Sequence, residues 1–175
     1  MEKAGQSGGY SKIYRMNPSA QPANPGSNEV REAGAAHFVW PVRVYYEDTD
    51  AGGIVFYANY LKFFERARTE WLRACGVDQQ KLVDESGVLF VVRRAALDYH
   101  APARLDDVMT VVSRIGRLGR ASIDFVQQIL RGETLLVSGH VRVGCVARNT
   151  IRPTGIPSYV LDALRHGPGV TAGAQ

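Results

Sequence analysis

Asp48 and Asp50 stand one residue apart in Glu47-Asp-Thr-Asp-Ala-Gly-Gly53, and a long amphipathic stretch opens nine residues after Asp50, at Asn59. The first N–H groups of a helix have no partner within it, and that end of a helix favours negative charge. A carboxylate beside such amides is the minimal equipment for attacking an activated carbonyl, or for directing water at one. An aspartate side chain is ionised at neutral pH and needs no histidine to prepare it. An Asp ahead of a helix more often caps it or forms a turn. Asp50 lies too far from Asn59 to cap a helix beginning there, which favours chemistry, and Asp48 is the better turn former. Asn59 reads as a cap or as a polar contact to substrate or water.

Other readings of these residues lack parts. Asp48-Thr-Asp50 opens like a calcium loop, but the fifth position is Gly52 and the twelfth is Asn59, so a ligand and the bidentate Glu are missing. Glu65, further along the helix, has Lys62 and Arg68 three residues to either side, a spacing that predicts a structural ion pair in support of the site. Gly116-Arg-Leu-Gly119 matches an RNA-binding clamp that joins helices, but strands flank it here, so a hairpin is expected. Arg117 and Arg120 beside that turn suit either solvent or phosphate, and Arg93 and Arg94 stand inside a strand pattern. His37, His100, His140 and His166 show no ligand spacing, and neither Cys75 nor Cys145 belongs to a CxxC pair. There is no G-x-S-x-G elbow and no P-loop. No metal or cofactor is expected.

The elements that must position these groups are legible from periodicity. Asn59 to Cys75 carries apolar residues at Tyr60, Phe63, Phe64, Ala67, Trp71, Leu72 and Cys75, at helical spacing, with Gly76 as the stop. Gln79–Ser86 and Ser158–Arg165 are shorter helical candidates. Strands are expected over Phe38–Tyr46, with Pro41 at its edge, and over Leu89–Tyr99, Val108–Arg117, Ala121–Leu130 and Leu135–Arg148. The last should put Leu135, Val137, Val141, Val143, Cys145 and Ala147 on one face. Short connections at Arg117–Arg120 and Arg131–Thr134 argue for antiparallel hairpins. One long helix packed on an antiparallel sheet is a two-layer α+β domain.

At 175 residues, 45% hydrophobic and 22% charged, the chain suits one globular domain with spare tail. Residues 1–36, rich in Gly, Ser, Pro, Asn and Ala, read as a disordered tail, 37–166 as the domain, and 167–175 as a flexible end. Met16 is a candidate natural start, with residues 1–15 upstream of it. A net charge of +4 and pI near 9.2 permit an anionic ligand or membrane surface without demanding nucleic acid. No run approaches a spanning helix and no secretory signal precedes the domain, so a cytoplasmic protein is expected.

The segment Pro41-Val-Arg-Val-Tyr-Tyr-Glu-Asp-Thr-Asp-Ala-Gly-Gly-Ile-Val-Phe-Tyr-Ala-Asn-Tyr60, with Phe64-Glu-Arg-Ala-Arg-Thr-Glu70 behind it, resembles the YbgC-type acyl-CoA thioesterases. These form part of the 4-hydroxybenzoyl-CoA thioesterase branch of the hotdog fold and are associated with the Tol–Pal system. Phe90-Val-Val-Arg-Arg94 and Tyr99-His-Ala-Pro-Ala-Arg-Leu-Asp-Asp107 extend the similarity, which runs from Trp40 to about Pro153. The resemblance implies a sheet wrapped around one long helix, homodimers or homotetramers, and active sites at the dimer interface. It implies hydrolysis of acyl-CoA, with short-chain or aromatic acyl groups, and an acyl carrier protein or the inner-membrane surface as further partners. Asp50 falls on the catalytic aspartate, nucleophile or base; Tyr57 supplies the amide that polarises the carbonyl; Asn59 assists; Glu65 and Asp48 support. Arg117, Arg120 and Arg93 would hold coenzyme A. The family commonly carries His where this chain has Tyr57, so a mechanism that needs an imidazole there is excluded and a hotdog hydratase or dehydratase, which needs a His with an acid, is disfavoured. The alternative is a binding protein of the same fold, docking a carrier protein or membrane complex with little or no catalysis.

Overall fold

A computed structural model describes residues 37–168. The expectations for residues 1–36 and 169–175 lie outside the described residues. In chain order the elements are β1 (Phe38–Arg43), a single 3-10 turn (Tyr46–Asp48), α1 (Asn59–Ala74), α2 (Gln79–Ser86) and β2 (Val88–Tyr99). There follow β3 (Val108–Leu118), β4 (Ser122–Arg131), β5 (Thr134–Ala147) and α3 (Ser158–His166). All five strands pair antiparallel in the order β1-β3-β4-β5-β2. With α1 packed on one face, this is the α+β hotdog arrangement. Among the described residues, no helix is long and apolar enough to cross a membrane.

The helix earns its place by burial rather than by capping. Its N-cap, Ala58, has no side-chain bond to offer, yet Tyr60, Phe63, Phe64, Ala67, Trp71 and Leu72 are all buried. These residues divide between two apolar clusters. Tyr60, Phe63, Phe64 and Ala67 pack with Met109, Val111, Ile129 and Val137 at one end of the sheet. Trp71 and Leu72 pack with Ile123, Phe125, Val143, α2 and α3 at the other. Between the clusters lies a polar seam. Arg68 donates from Nη1 to Gln127 Oε1 at 2.6 Å, and Gln127 Nε2 donates to the Phe64 carbonyl at 3.1 Å and to Ser113 Oγ at 2.8 Å.

Register explains one departure from the sequence pattern. The β4–β5 ladder shifts between Ile129 and Leu130, so Leu136 as well as Val137 is buried while Leu135 is only half-buried. Beyond α3, Gly167 and Pro168 are not free of the domain. Trp71 Nε1 donates to the Pro168 carbonyl at 2.9 Å, which fastens this segment to α1.

Gly139 on β5 lets the helix approach closely. A Cβ there would stand 2.6 Å from Phe64 Cε2 and 3.3 Å from the Ala96 carbonyl oxygen. Gly139→Val should therefore destabilise the domain by about 1–3 kcal/mol, read as a lower urea midpoint, with Phe64→Leu in the same chain recovering part of the loss. An unchanged midpoint would show that this contact does not limit the packing.

Candidate active site

The connection from β2 to β3 crosses the end of the sheet past β5 and β4, three strand spacings or roughly 14 Å, and the Asp50 loop is built on it. Val44 N donates to the Asp107 carbonyl at 3.0 Å and Val55 N to the Ala103 carbonyl at 2.9 Å. Ile54 bridges Arg104. The crossover is itself pinned: Asp107 Oδ2 accepts from Arg104 N at 2.8 Å and Arg131 Nη1 at 2.6 Å. Burial opposes ionisation of Asp107, but these two donors outweigh it and hold the carboxyl below the usual carboxylate range.

Asp48 is the turn former. Its carboxylate is buried and accepts from Tyr45 N at 2.9 Å, closing the 3-10 turn. Asp50 heads the next turn, in which its N–H donates to the Ile54 carbonyl and its carbonyl accepts from Gly53 N. Its Oδ1 accepts from Gly52 N at 2.8 Å, and a Cβ on Gly52 would lie 3.0 Å from that same oxygen. Gly53 takes the left-handed conformation with φ at 71°. The glycine pair thus aims the carboxylate, which is solvent-exposed in the single chain.

The loop then docks on the start of α1. The Asp48 carbonyl accepts from Phe56 N at 2.9 Å and from Asn59 Nδ2 at 2.9 Å. Asn59 N donates to the Phe56 carbonyl, so the amides on either side of Tyr57-Ala58 are consumed. Those of Tyr57 and Ala58 donate to no described residue and remain open at the N-terminal end of the helix. Tyr99 Oη donates to the Tyr57 carbonyl at 3.1 Å and holds this peptide from the far side. Tyr46, Phe56 and Tyr57 form an exposed aromatic rim. A carboxylate and two open amides, tied together through the Asp48 carbonyl, can receive and attack a polarised carbonyl group.

Other expected residues fall elsewhere. Asn59 is buried, with Nδ2 spent on the loop carbonyls, so it acts on the geometry of the site from behind. Glu65 makes no salt bridge among the described residues; it accepts from Thr69 Oγ1 at 2.7 Å instead, because Arg68 turns inward to Gln127. That corrects the expected ion pair. Arg93, Arg117 and Arg120 stand at the opposite end of the sheet from Tyr99. Arg93 sits in a register shift with its stem over Gly144, and Arg117 pairs in register with Asp124. Six residues of β2, about 20 Å, separate Arg93 from Tyr99, so one chain does not bring these arginines to Asp50. Tyr99 and Arg68 were not anticipated. For Arg68 the available signal was Gln127, a polar residue on the apolar face of β4. Among the described residues, no three His, Cys, Asp or Glu side chains gather as a metal site.

Comparison with known proteins bears on what this arrangement does. Residues 44–164 match the model of the thioesterase-like superfamily. The acyl-CoA thioesterase YbgC of Haemophilus influenzae is 45% identical over 129 residues, covering 74% of this chain and 95% of that protein. The acyl-CoA thioester hydrolase YbgC of Escherichia coli O6:H1 is 47% identical over 129 residues, covering 73% and 96%. Among solved structures, a probable thioesterase from Bartonella henselae superposes with a TM-score of 0.66 at 37% identity, covering 70% of this chain and 100% of that one.

Replacing Asn59 with Ala should cost about 1–2 kcal/mol of stability and speed hydrogen exchange at the Phe56 amide, as the Asp48 carbonyl loses a buried donor. A variant as stable and as protected as the parent would mean the Asn59 amide is free to meet a ligand instead.

Proposed function

The chain belongs to the thioesterase-like superfamily, as an acyl-CoA thioesterase of the YbgC type, and on that premise we propose that Asp50 is its catalytic carboxylate. The thioester carbonyl oxygen lies on the open amides of Tyr57 and Ala58, which gain strength as negative charge develops on it. Asp50 either attacks the carbonyl carbon, expelling the coenzyme A thiolate and leaving an anhydride for water to cleave, or removes a proton from the attacking water. Each amide donor aimed at the oxyanion contributes on the order of 3–4 kcal/mol to lowering the barrier. The observation that carries this reading is the pair of unspent amides held, through the Asp48 carbonyl, beside the Asp50 turn.

The assembled site is a dimer. β2 is an edge strand of 12 residues with Val92 and Tyr99 exposed, a ready surface for a second β2. Antiparallel self-pairing lays the arginine-bearing end of one sheet alongside the Tyr57 end of the other. Arg93, Arg117 and Arg120 of one subunit then serve the coenzyme A phosphates bound at its partner's Asp50. Guanidinium groups suit phosphate oxygens through charge and paired donors.

Asp50→Asn should abolish thiol release from acyl-CoA esters while leaving the urea midpoint and coenzyme A binding unchanged; retention of most of the activity removes Asp50 from the mechanism. Specific activity should also fall on dilution, in step with dissociation of the dimer followed by light scattering. A monomer as active as the dimer would leave the partner's arginines without a role.

A further inference from the structure

Arg68 is a charged side chain with only 8% of its surface exposed, yet among the described residues it enters no salt bridge. Its one hydrogen-bond acceptor is a neutral amide oxygen, that of Gln127, and its guanidinium carbon lies 5.9 Å from the centre of the Phe125 ring. Gln127 has nothing more to give, since its nitrogen already serves Phe64 and Ser113. No buried side-chain nitrogen or oxygen among the described residues lacks a partner. The remaining donors of Arg68, at Nε and Nη2, therefore keep open surface.

Arg68 lines a cavity of about 90 Å³ between α1, α2 and the β2 side of the sheet, walled by Phe90, Ile123, Phe125 and Val143 and reaching Val92 on the free edge. A guanidinium withdrawn from water is normally matched by a carboxylate, because burying an unpaired charge is costly. Burial pushes the Arg68 guanidinium down to about 10, and the nearby Glu65 charge offsets only part of this. Glu65 itself stands exposed at the mouth, with Thr69 on one oxygen and water to screen it. At the inner end, the cation and its fork of donors fit one kind of group well: a carboxylate, held by two parallel bonds.

We propose that Arg68 reads the far end of the acyl group, and that the preferred substrates are coenzyme A thioesters of short dicarboxylic acids, whose free carboxylate seats on its guanidinium. This rests on the thioesterase reading above. Apolar walls take the methylene carbons, and the small volume limits the chain to a few atoms. Arg68 lies eleven positions after Tyr57, nearly all of them in α1 and so about 16 Å along its axis, more than a short diacid spans. The cation that serves one Asp50 therefore comes from the partner subunit, whose cavity opens on the same β2 edge that antiparallel pairing brings toward Tyr99.

Glutaryl-CoA and pentanoyl-CoA have equal chain length and differ in a terminal carboxylate against a methyl group. The wild-type dimer should favour glutaryl-CoA by about 10- to 100-fold in kcat/KM, mainly through KM. Arg68→Met should bring the ratio near one, and Arg68→Lys should keep part of it. A wild-type ratio of one or below overturns the assignment while leaving the thioesterase intact, and this comparison decides even if Arg68→Met fails to fold. Arg68→Met with the parent's ratio overturns it too. Hydrolysis of neither ester, nor of any other acyl-CoA in a panel, removes the thioesterase reading and this one with it.

Discussion

The amide of Gln127 fixes the rest of the molecule in place. An amphipathic helix on a sheet is free, as far as apolar contact goes, to slide or roll by a fraction of a turn, because hydrophobic burial is non-directional. Three hydrogen bonds centred on one side chain remove that freedom. Gln127 reaches the helix backbone at Phe64, the helix side chain at Arg68 and the neighbouring strand at Ser113. Breaking any one of them would leave a desolvated group unpaired. The translation of α1 along the sheet, and hence the place where its N-terminal end emerges, follows from this seam. The two apolar clusters on either side supply affinity, and the seam supplies position.

What emerges at that end is a site made largely of main chain. The open amides of Tyr57 and Ala58 exist because Phe56 and Asn59 use theirs locally, and because Ala58 cannot cap. The Asp50 carboxylate is aimed by backbone bonds to Gly52 and within its own turn. Side chains enter mainly as braces: Asp48 and Asn59 beneath, Tyr99 behind. Such a scaffold tolerates change in the walls around it while keeping the Asp50 carboxylate and the open amides in register, because packed helix and crossover hold the backbone.

Much of this was legible in the sequence. Helical spacing from Tyr60 to Leu72 located α1 nearly to the residue, and alternation with short turns located the four antiparallel strands after it. Distance along the chain kept Asp50 from being read as a cap of α1, and Asp48 was rightly read as the turn former. Three things were not legible, each for a physical reason. The β4–β5 shift that buries Leu136 arises from pairing between strands, which alternation within one strand does not encode. Glu65 had several partners at helical reach, and the choice of Thr69 depended on Arg68 being drawn away by a residue fifty-nine positions distant. The separation of Arg93, Arg117 and Arg120 from Asp50 is a property of topology, since nearness in a motif says nothing about which end of a sheet a residue occupies.

The crossover that carries the Asp50 loop also sets when, during synthesis, that loop can take shape. Val44 is bonded to Asp107, sixty-three residues downstream, and the start of the crossover at His100 is bonded in turn to Leu136. A nascent chain that has just released Asp50 from the ribosome has neither support, and closing so long a loop without its core in place is entropically unfavourable. The Asp50 turn and the open amides of Tyr57 and Ala58 therefore come together only after β5 has been translated. A prematurely terminated product lacks a half-built site altogether, and the arrangement arrives with the completed domain.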